Sequence, residues 1–572
     1  MLKDHLASPC PWGIFPAPFA DLPQASSMIC EAPLLDKAVA LVEHCYQHHD
    51  CQFQEFKPHL PSRILDIGED DDQIRLVEGD GRRTRYLCLS YCWGGVQPLK
   101  TMSQNIADHM ASIPWTAIPK LFQDLIDLAR KLCIRYVWID SLCIIQDDHE
   151  DWVKESSKMC QIYENSYLTV SATTAENCNA GLWDVSSNSI EEMEGISAQG
   201  VHYSWLAIYG FPILHPRLSD SHLERAGLWP LLDRGWAFQE RTLAPRVLHF
   251  LNGEMMWECK AETFCECGRM TPYGKSKTLH EYLNSGDSVK QAAIWREIVQ
   301  HYSCLKLTKV SDKLPALSGL AQKLMQALPN KRYLAGLWED SLLEDLLWVK
   351  LIISEDDAPW TVSCPGPSWS WIAVDSAVSF ATGSQHNPNF TDPSTGNRCL
   401  RKYINTIAAH CELASADRAG EVKNGVLTVE GRLYKGTLKR WQGSYIVFSE
   451  DGVLPGGVLE LDGGPIYPSS ASTEEQRKLH LDVPRVLLSE QSAEAQEVFC
   501  LPLARVLVGD DEDFTQEAEY AMVLARDPRD SQGYIRIGMA IQTTDRESRP
   551  SEFWATQLNF EHGGEITSIS IH

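Results

Sequence analysis

Hydrophobic and polar positions follow their clearest pattern between residues 60 and 272 of the 572-residue chain. A helix is predicted after Pro119, because four leucines recur at helical spacing: Leu121, Leu125, Leu128 and Leu132. A second helix is predicted from about Glu150 to Tyr163, with two aspartates before it as N-cap candidates. The helices separate three apolar, strand-like runs: Tyr86–Trp93, Tyr136–Asp140 and Tyr167–Ser171. This order predicts an α/β fold with a parallel sheet and right-handed crossovers.

The rest of the chain changes pattern, and its length suggests about two to four domains. Short alternating segments such as Val426–Glu430 and Tyr534–Ile537, separated by glycine-rich turns, predict strands near the C-terminus. The tract Ser379–Asn397 is rich in Ser, Asn, Pro and Gly and is typical of a linker. We therefore predict four regions: an irregular segment 1–60 with one short amphipathic helix around Leu34–Tyr46, an α/β domain 61–272, a helical region 273–378 and a β-rich region 398–572.

Charge and composition narrow the classes of partner. Lys and Arg total 51 against 77 Asp and Glu, a formal charge of −26, and no basic stripe stands out. Such a surface repels phosphate backbones and anionic membranes, so we expect a protein or small-molecule partner and no nucleic acid. No run is long enough to span a bilayer. Because Met1–His5 lacks the pattern of a secretion signal, we expect a cytoplasmic protein with reduced cysteines.

Two polar loops leave predicted strands at the same edge of the sheet, Ser90–Gly95 and Asp140–Cys143. Ligands of open parallel sheets bind outside the carboxyl ends of the strands. The glycines Gly94 and Gly95 would let a ligand approach the backbone, while Ser90 and Asp140 offer polar contacts. The alternative is that the glycines form a simple turn and that Asp140 is a helix cap.

The second predicted helix carries a carboxylate where an apolar residue is expected. Glu155 lies three residues after Trp152 and four before Met159, on the stripe that Ile162 continues. An inward carboxylate beside an indole is desolvated, which raises its pKa unless a cation compensates. Glu155 is therefore either a functional group or one half of an ion pair with a structural arginine, for which Arg234 is a candidate.

A third dense cluster is Arg234–Leu243. Trp236 and Leu243 lie seven residues apart on one helical face, which favours a structural role for the segment. In this interpretation Gln239 and Glu240 cap or brace neighbouring loops.

Cysteine and histidine spacing gives only weak support for a metal. Cys45, His48 and Cys51 have short ligand spacing, but no clean second pair follows, and Cys259, Cys265 and Cys267 would join them only by a long-range coincidence. We therefore expect no metal site. The chain also lacks a phosphate-binding loop, a nucleophile elbow and a zinc-protease motif.

Three sequence blocks stand out together in the predicted α/β domain. They are Tyr86–Gly94, then Val137–Gln146 with Asp151-Trp152 and Met159–Tyr163, and finally Arg234–Glu240. In this order they resemble the fungal heterokaryon incompatibility (HET) domain, with a core match over about residues 86–240. Weaker hallmarks of proteins with this domain follow at Asp312–Gly319, Ala335–Trp338 and Pro367–Trp371. The resemblance implies non-self recognition between fused fungal cells, followed by regulated cell death.

The HET domain is in turn similar to TIR domains, which are flavodoxin-like and in several lineages hydrolyse NAD. TIR enzymes carry a catalytic glutamate shortly after a tryptophan, and Trp152-Val-Lys-Glu155 occupies the corresponding place. The resemblance thus implies NAD as a substrate rather than a bound cofactor, with self-association and protein partners. It implies catalysis by Glu155 and substrate contacts from Ser90, Trp93, Gly94, Asp140 and Trp152.

Two other functions stay open from the residues alone. In the first, the α/β domain is a non-enzymatic, self-associating signalling module, and Glu155 belongs to a structural ion pair. In the second, the cysteine and histidine clusters hold a metal.

Overall fold

The computed structural model divides the chain into two units, residues 1–280 and residues 281–572. Residues 1–30 and most of the predicted linker, residues 381–397, lie outside the described part of the chain. No helix in that described part is long and apolar enough to cross a bilayer. The described residues are 31–51, 57–68, 73–183, 190–196, 202–208, 229–251, 254–265, 288–327, 331–350, 366–380, 399–415, 417–441, 444–449, 479–481, 496–508, 516–544 and 565–572.

A sheet of eight strands forms the centre of the first unit. Its order is β10-β9-β8-β5-β3-β4-β1-β2, and β6 and β7 pair separately as a hairpin. The strands are β1 (Arg63–Asp66), β2 (Arg75–Glu78), β3 (Leu87–Ser90), β4 (Tyr136–Trp138), β5 (Leu168–Ser171), β6 (Ile190–Ile196), β7 (His202–Ile208), β8 (Arg246–Leu251), β9 (Glu254–Cys259) and β10 (Thr263–Cys265).

The parallel sheet predicted from the sequence is confirmed for its four central strands. Strands β4, β3, β5 and β8 run parallel, with Cys88 opposite Trp138 and Ser90 opposite Ser171. The two strands on each flank pair antiparallel instead. The flanks are hairpins, which need only a short turn, whereas each central connection carries helices.

Seven helices lie among the described residues of this unit: α1 (Glu31–His48), α2 (Ile106–Ala111), α3 (Lys120–Lys131), α4 (Asp140–Cys143), α5 (His149–Ser156), α6 (Met159–Asn165) and α7 (Gly235–Leu243), with a 3₁₀ turn at Trp115–Ala117. The helix predicted after Pro119 is α3, and its Leu121, Leu125 and Leu128 are buried. The helix predicted around Leu34–Tyr46 is α1.

The single helix predicted from Glu150 to Tyr163 is wrong in one respect, because it is two helices. α5 ends at Ser156 and α6 begins at Met159. The hydroxyls of Ser156 and Ser157 donate to the carbonyls of Val153 and Lys154, at 3.2 and 2.8 Å. These bonds compete with the backbone for the carbonyls of the last turn, which is how serine weakens a helix.

Helices cover both faces of the central sheet. Leu87 and Leu89 of β3 pack with α1 and α3 in one core, whereas Tyr86 and Cys88 pack with α6 in the other. Since side chains alternate along a strand, Ser90 lies on the same face as Cys88, the face that α6 covers.

The second unit begins with helices and short strands. Its buried side chains include five tryptophans: Trp295, Trp338, Trp348, Trp369 and Trp371. The elements are α8 (Ser288–Ser303), α9 (Pro315–Ala327), α10 (Leu342–Asp345), β11 (Tyr333–Leu334), β12 (Leu337–Trp338), β13 (Trp348–Lys350) and β14 (Val378–Phe380), with 3₁₀ turns at Val310–Lys313, Glu339–Ser341 and Trp371–Ala373.

The C-terminal part is rich in β structure, as the sequence predicts. The predicted segments Val426–Glu430 and Tyr534–Ile537 lie in β17 and β22. Strands β17, β20, β21, β22 and β23 pair in a closed ring. The strands are β15 (Cys399–Lys402), β16 (Ile404–Leu413), β17 (Val422–Trp441), β18 (Ser444–Ser449), β19 (Leu479–Leu481), β20 (Gln496–Val508), β21 (Gln516–Asp527), β22 (Asp530–Thr544) and β23 (Glu565–Ile571).

Candidate functional site

The candidate site lies at the carboxyl edge of the central strands. The chain leaves β3 toward β4 on one side, and later leaves β5 toward β8 on the other. Adjacent strands whose connections diverge in this way leave a crevice between their ends, the usual ligand position in such sheets. Ser90 ends β3, Ser171 ends β5, and Asp140 follows β4 by two residues.

The centre of the site is a hydrogen bond between Ser90 and Glu240. Ser90 is 4% exposed, and its hydroxyl donates to Glu240 Oε2. Glu240 comes from α7, which packs against α6 and against strands β3 and β5. A buried carboxylate from a distant helix therefore meets the end of the central strand.

The surroundings of Glu240 favour its protonated form. Burial raises the pKa of the Glu240 carboxyl to about 7, and the negative charge of Asp140 adds to the rise. The Ser90 hydroxyl and the Arg234 guanidinium lower it again, but by less than burial raises it. Glu240 is therefore poised to exchange a proton near neutral pH, as general acids and bases require.

Tyr163 from α6 forms the wall beside this carboxylate. Its hydroxyl donates to the carbonyl of Leu89 at 2.9 Å, and its ring packs edge-on against Trp138 at 5.6 Å. Burial and the nearby Glu240 hold the pKa of Tyr163 well above its ordinary value, so the phenol remains neutral.

Asp140 and Trp93 form a second polar pair at the same edge. The indole Nε1 of Trp93 donates to Asp140 Oδ2 at 3.0 Å, and the backbone N–H of Ser141 donates to Oδ1 at 2.6 Å. Burial raises the pKa of Asp140, whereas Trp93 and Arg234 lower it. Asp140 therefore lies at the candidate site. It is the first residue of α4, whose N-cap is Ile139, so the helix cap considered from the sequence is wrong.

Arg234 supplies positive charge that acts on both carboxylates. Its Nη1 donates to the carbonyl of Tyr91 at 3.0 Å, and its charge lowers the pKa of both Glu240 and Asp140. Burial and the nearby negative charge of Asp140 hold the pKa of the Tyr91 phenol well above its ordinary value.

Gly94 shapes the loop after β3. Its φ is +64°, and a Cβ there would overlap the carbonyl oxygen of Glu176 and approach Asn177 Cβ to 2.6 Å. The neighbouring Gly95 also has a positive φ, +72°, but faces open space. The close approach that Gly94 permits is therefore to the loop after β5.

Glu155 is buried as predicted, but its ion-pair partner differs from the one considered. Its carboxylate is 2% exposed and accepts from Lys158 Nζ at 2.8 Å, not from Arg234. Lys158 also donates to Ser62 Oγ at 2.7 Å. Within the described ranges Glu155 makes no hydrogen bond to Ser90, Trp93 or Asp140, so the structure does not join it to the central pair.

Trp152 connects α5 with α7. Its ring meets Trp236 edge-on at 6.3 Å and lies nearly parallel to His149 at 6.1 Å. The stripe predicted for this helix is thus packed against the segment that presents Glu240.

Sequence reasoning interpreted Glu240 as a brace and missed its central position. A signal was available, because Trp236, Glu240 and Leu243 lie at i, i+4 and i+7 on one helical face. The same argument that singled out Glu155 applies to Glu240. The partner, Ser90, lies 150 residues earlier, and no local pattern indicates that pairing.

A possible metal-binding cluster lies elsewhere in this unit. Ligand-type atoms of Cys45, His49, Cys51 and Cys259 all lie within 4.8 Å of one another. The spacing argument had chosen His48, whose Nδ1 instead contacts the carbonyl of His44 at 2.9 Å. It had also treated Cys259 as a coincidence.

Comparison with known proteins gives one match. Residues 86–240 match the family model described as Heterokaryon incompatibility protein (HET). The match begins just before β3 and ends at Glu240, so it contains both halves of the central pair. No curated protein and no solved structure matches the chain.

Proposed function

We propose, from the heterokaryon incompatibility (HET) domain that the chain carries over residues 86–240, that this protein acts in fungal non-self recognition and triggers regulated cell death. We further propose that it does so by hydrolysing NAD at the carboxyl edge of its central sheet. The cytoplasm, where the contents of fusing cells mix, is the proposed place of action.

The observation that carries the proposal is the hydrogen bond between Ser90 and Glu240. It lies at the ends of β3 and β5, where the connections from adjacent strands diverge to opposite sides of the sheet. Numbered by chain position, the four parallel strands have the order 2-1-3-4. This is the order of flavodoxin-like sheets, which bind their ligand between strands 1 and 3. Here those strands are β3 and β5, whose ends frame the pair. The order supports the proposed likeness to TIR domains.

The chemistry needs one carboxylate. The bond between the ribose carbon and the nicotinamide nitrogen breaks, and nicotinamide leaves as a neutral molecule with the bonding electrons. Water adds to the ribose carbon and gives up a proton, first to Glu240 and then to solvent. Ionised Glu240 stabilises the positive charge that develops on the sugar, as preorganised electrostatics does in other enzymes.

The surrounding residues have proposed positioning roles. Ser90 and Asp140 contact the ribose or a phosphate, and Trp93 holds Asp140 in place. Gly94 lets the loop after β3 pack against the loop after β5. Trp152, which packs on Trp236, forms one side of the pocket for nicotinamide and ribose. The geometry favours Glu240 over Glu155 as the reacting carboxylate, because the Glu155 carboxylate is already bound to the ammonium group of Lys158.

Expression of the full chain in a fungal host tests this function. We expect induction to reduce both cellular NAD and viability, and Glu240→Gln to abolish both effects. Glu150→Gln, an exposed change on α5, is the matched control and is expected to behave as the wild type.

Loss of viability with unchanged NAD would contradict the enzymatic part of the proposal. It would support the second candidate, a non-enzymatic module that self-associates and recruits protein partners. The ion pair between Glu155 and Lys158 is the feature consistent with that candidate, since it gives Glu155 a structural role.

A further inference from the structure

Four ligand-type side chains converge at one end of the first helix. Cys45 lies in the last turn of α1, His49 and Cys51 follow that helix directly, and Cys259 ends β9. Cys45, Cys51 and Cys259 are at most 2% exposed, and His49 is half-buried. The three sulfur atoms and a ring nitrogen of His49 all lie within 4.8 Å of one another.

These separations fit a tetrahedral metal centre. With Zn–S near 2.3 Å and Zn–N near 2.1 Å, a tetrahedron places sulfur and nitrogen about 3.6 Å apart. Cys259 Sγ and His49 Nδ1 are 3.5 Å apart. Three cysteines and one histidine form a complete four-ligand set, the composition of closed structural zinc sites.

The groups around the cluster are those that support metal ligands. The other ring nitrogen of His49, Nε2, faces Glu262 Oε1 at 3.5 Å, an arrangement that orients a ligating imidazole. The backbone N–H of Glu262 points at Cys259 Sγ at 3.4 Å. Fully buried Arg246 places Nε 3.3 Å from Cys45 Sγ, so its charge balances the excess of three thiolates over a divalent ion.

We propose that Cys45, His49, Cys51 and Cys259 bind a structural Zn²⁺ ion that fastens the end of α1 to the β9–β10 hairpin. The site is separate from the Ser90–Glu240 pair and does not depend on the proposed enzymatic function. It joins two segments about 210 residues apart in the sequence, and metal ligation of such distant segments contributes directly to folding energy.

Elemental analysis of the purified full-length chain, prepared under reducing conditions with zinc in the medium, tests the proposal. We expect about one zinc ion per chain and no stoichiometric iron. A strong chelator is expected to lower the melting temperature, and replacement with Co²⁺ is expected to give the absorption of a tetrahedral cobalt–thiolate centre.

Five variants make the test specific to these residues. Cys259→Ser and Cys51→Ser should lose the zinc, whereas the conservative change His49→Cys should keep it. Two controls should also keep it: Cys178→Ser, an equally buried thiol outside the cluster, and His44→Ala, which neighbours His49 and Glu262. If Cys259→Ser fails to fold, the chelator experiment and His49→Cys still decide the question.

Three results would overturn the proposal. They are folded wild-type protein without stoichiometric zinc, zinc retained in both serine variants, and a disulfide between two of the three cysteines in protein isolated with its thiols trapped.

Discussion

Two buried glutamates of the same α/β unit differ in the groups that surround their carboxylates. Glu155 accepts from the ammonium group of Lys158 at 2.8 Å, so its negative charge is matched. Glu240 accepts from the neutral hydroxyl of Ser90 and lies close enough to Asp140 for their charges to repel. Two carboxylates with such different surroundings commonly have different roles, one structural and one reactive.

At the residue scale, the raised pKa of Glu240 has a consequence for stability. The folded protein holds this proton up to about pH 7, whereas the unfolded chain releases it near the ordinary carboxyl pKa of 4.5. Stability from this group is therefore fully present below pH 4.5 and is lost as the pH rises through 7. Glutamine cannot ionise, so the Glu240→Gln protein does not lose this stability as the pH rises. We therefore expect the change in the free energy of unfolding caused by the substitution to be more favourable at pH 8 than at pH 5, by on the order of 2 kcal/mol, measured by urea denaturation at both pH values.

Glu150→Gln is the control for that measurement, because its carboxylate is exposed. Equal effects of Glu240→Gln at pH 5 and pH 8 would mean that the Glu240 carboxyl titrates at its ordinary pKa.

At the element scale, the loop after β3 depends on two adjacent glycines that can be separated experimentally. Both have positive φ, but only Gly94 is packed against Glu176 and Asn177. We expect Gly95→Ala to cost about 1 kcal/mol from backbone strain alone. Gly94→Ala should cost at least about 2 kcal/mol, because the loop after β5 must also move. Thermal denaturation of the two variants measures the difference, and equal losses would show that the two loops do not touch.

The junction between α5 and α6 depends on the pair Glu155–Lys158. Glu155 is buried, but the Lys158 side chain is 37% exposed, so solvent screens the interaction. We expect Glu155→Gln to lower the free energy of unfolding by about 1–2 kcal/mol. In a double-mutant cycle with Lys158→Met, we expect a coupling of about 1 kcal/mol. A coupling near zero, or a stabilising Glu155→Gln, would point back to an active-site role for Glu155.

Local patterns predicted the elements well and their pairing less well. Strands β3, β4 and β5 and helix α3 are set by periodicity within a dozen residues, and each is found as predicted. The break between α5 and α6 was missed because serine hydroxyls bond to carbonyls of the same helix, which periodicity does not register. The antiparallel flanks depend on which distant strands meet, and the sequence pattern carries no such information.

The same limit applies to the candidate site. Ser90 and Asp140 were found because both follow predicted strands at one edge. Glu240 was found only as part of a helix, since its partner Ser90 is 150 residues away. Cys259 was set aside for the same reason, although it lies beside His49.

At the scale of the whole molecule, the chain joins a unit that contains the match to the HET family model, residues 86–240, to a second unit with a closed ring of strands. Its formal charge of −26 disfavours a nucleic-acid partner. We propose that the first unit acts when copies are brought together, and that the second unit contributes to partner recognition. This division assigns catalysis to the edge of the central sheet.

The most direct test of that assignment is nicotinamide release from NAD by the purified full-length chain, fused to an oligomerising domain. We predict release by the wild type, and a fall in rate of about 100-fold or more in Glu240→Gln, with the folded state retained. Glu155→Gln should retain most of the rate. No release by the clustered wild type, or equal rates in the wild type and Glu240→Gln, would contradict the account.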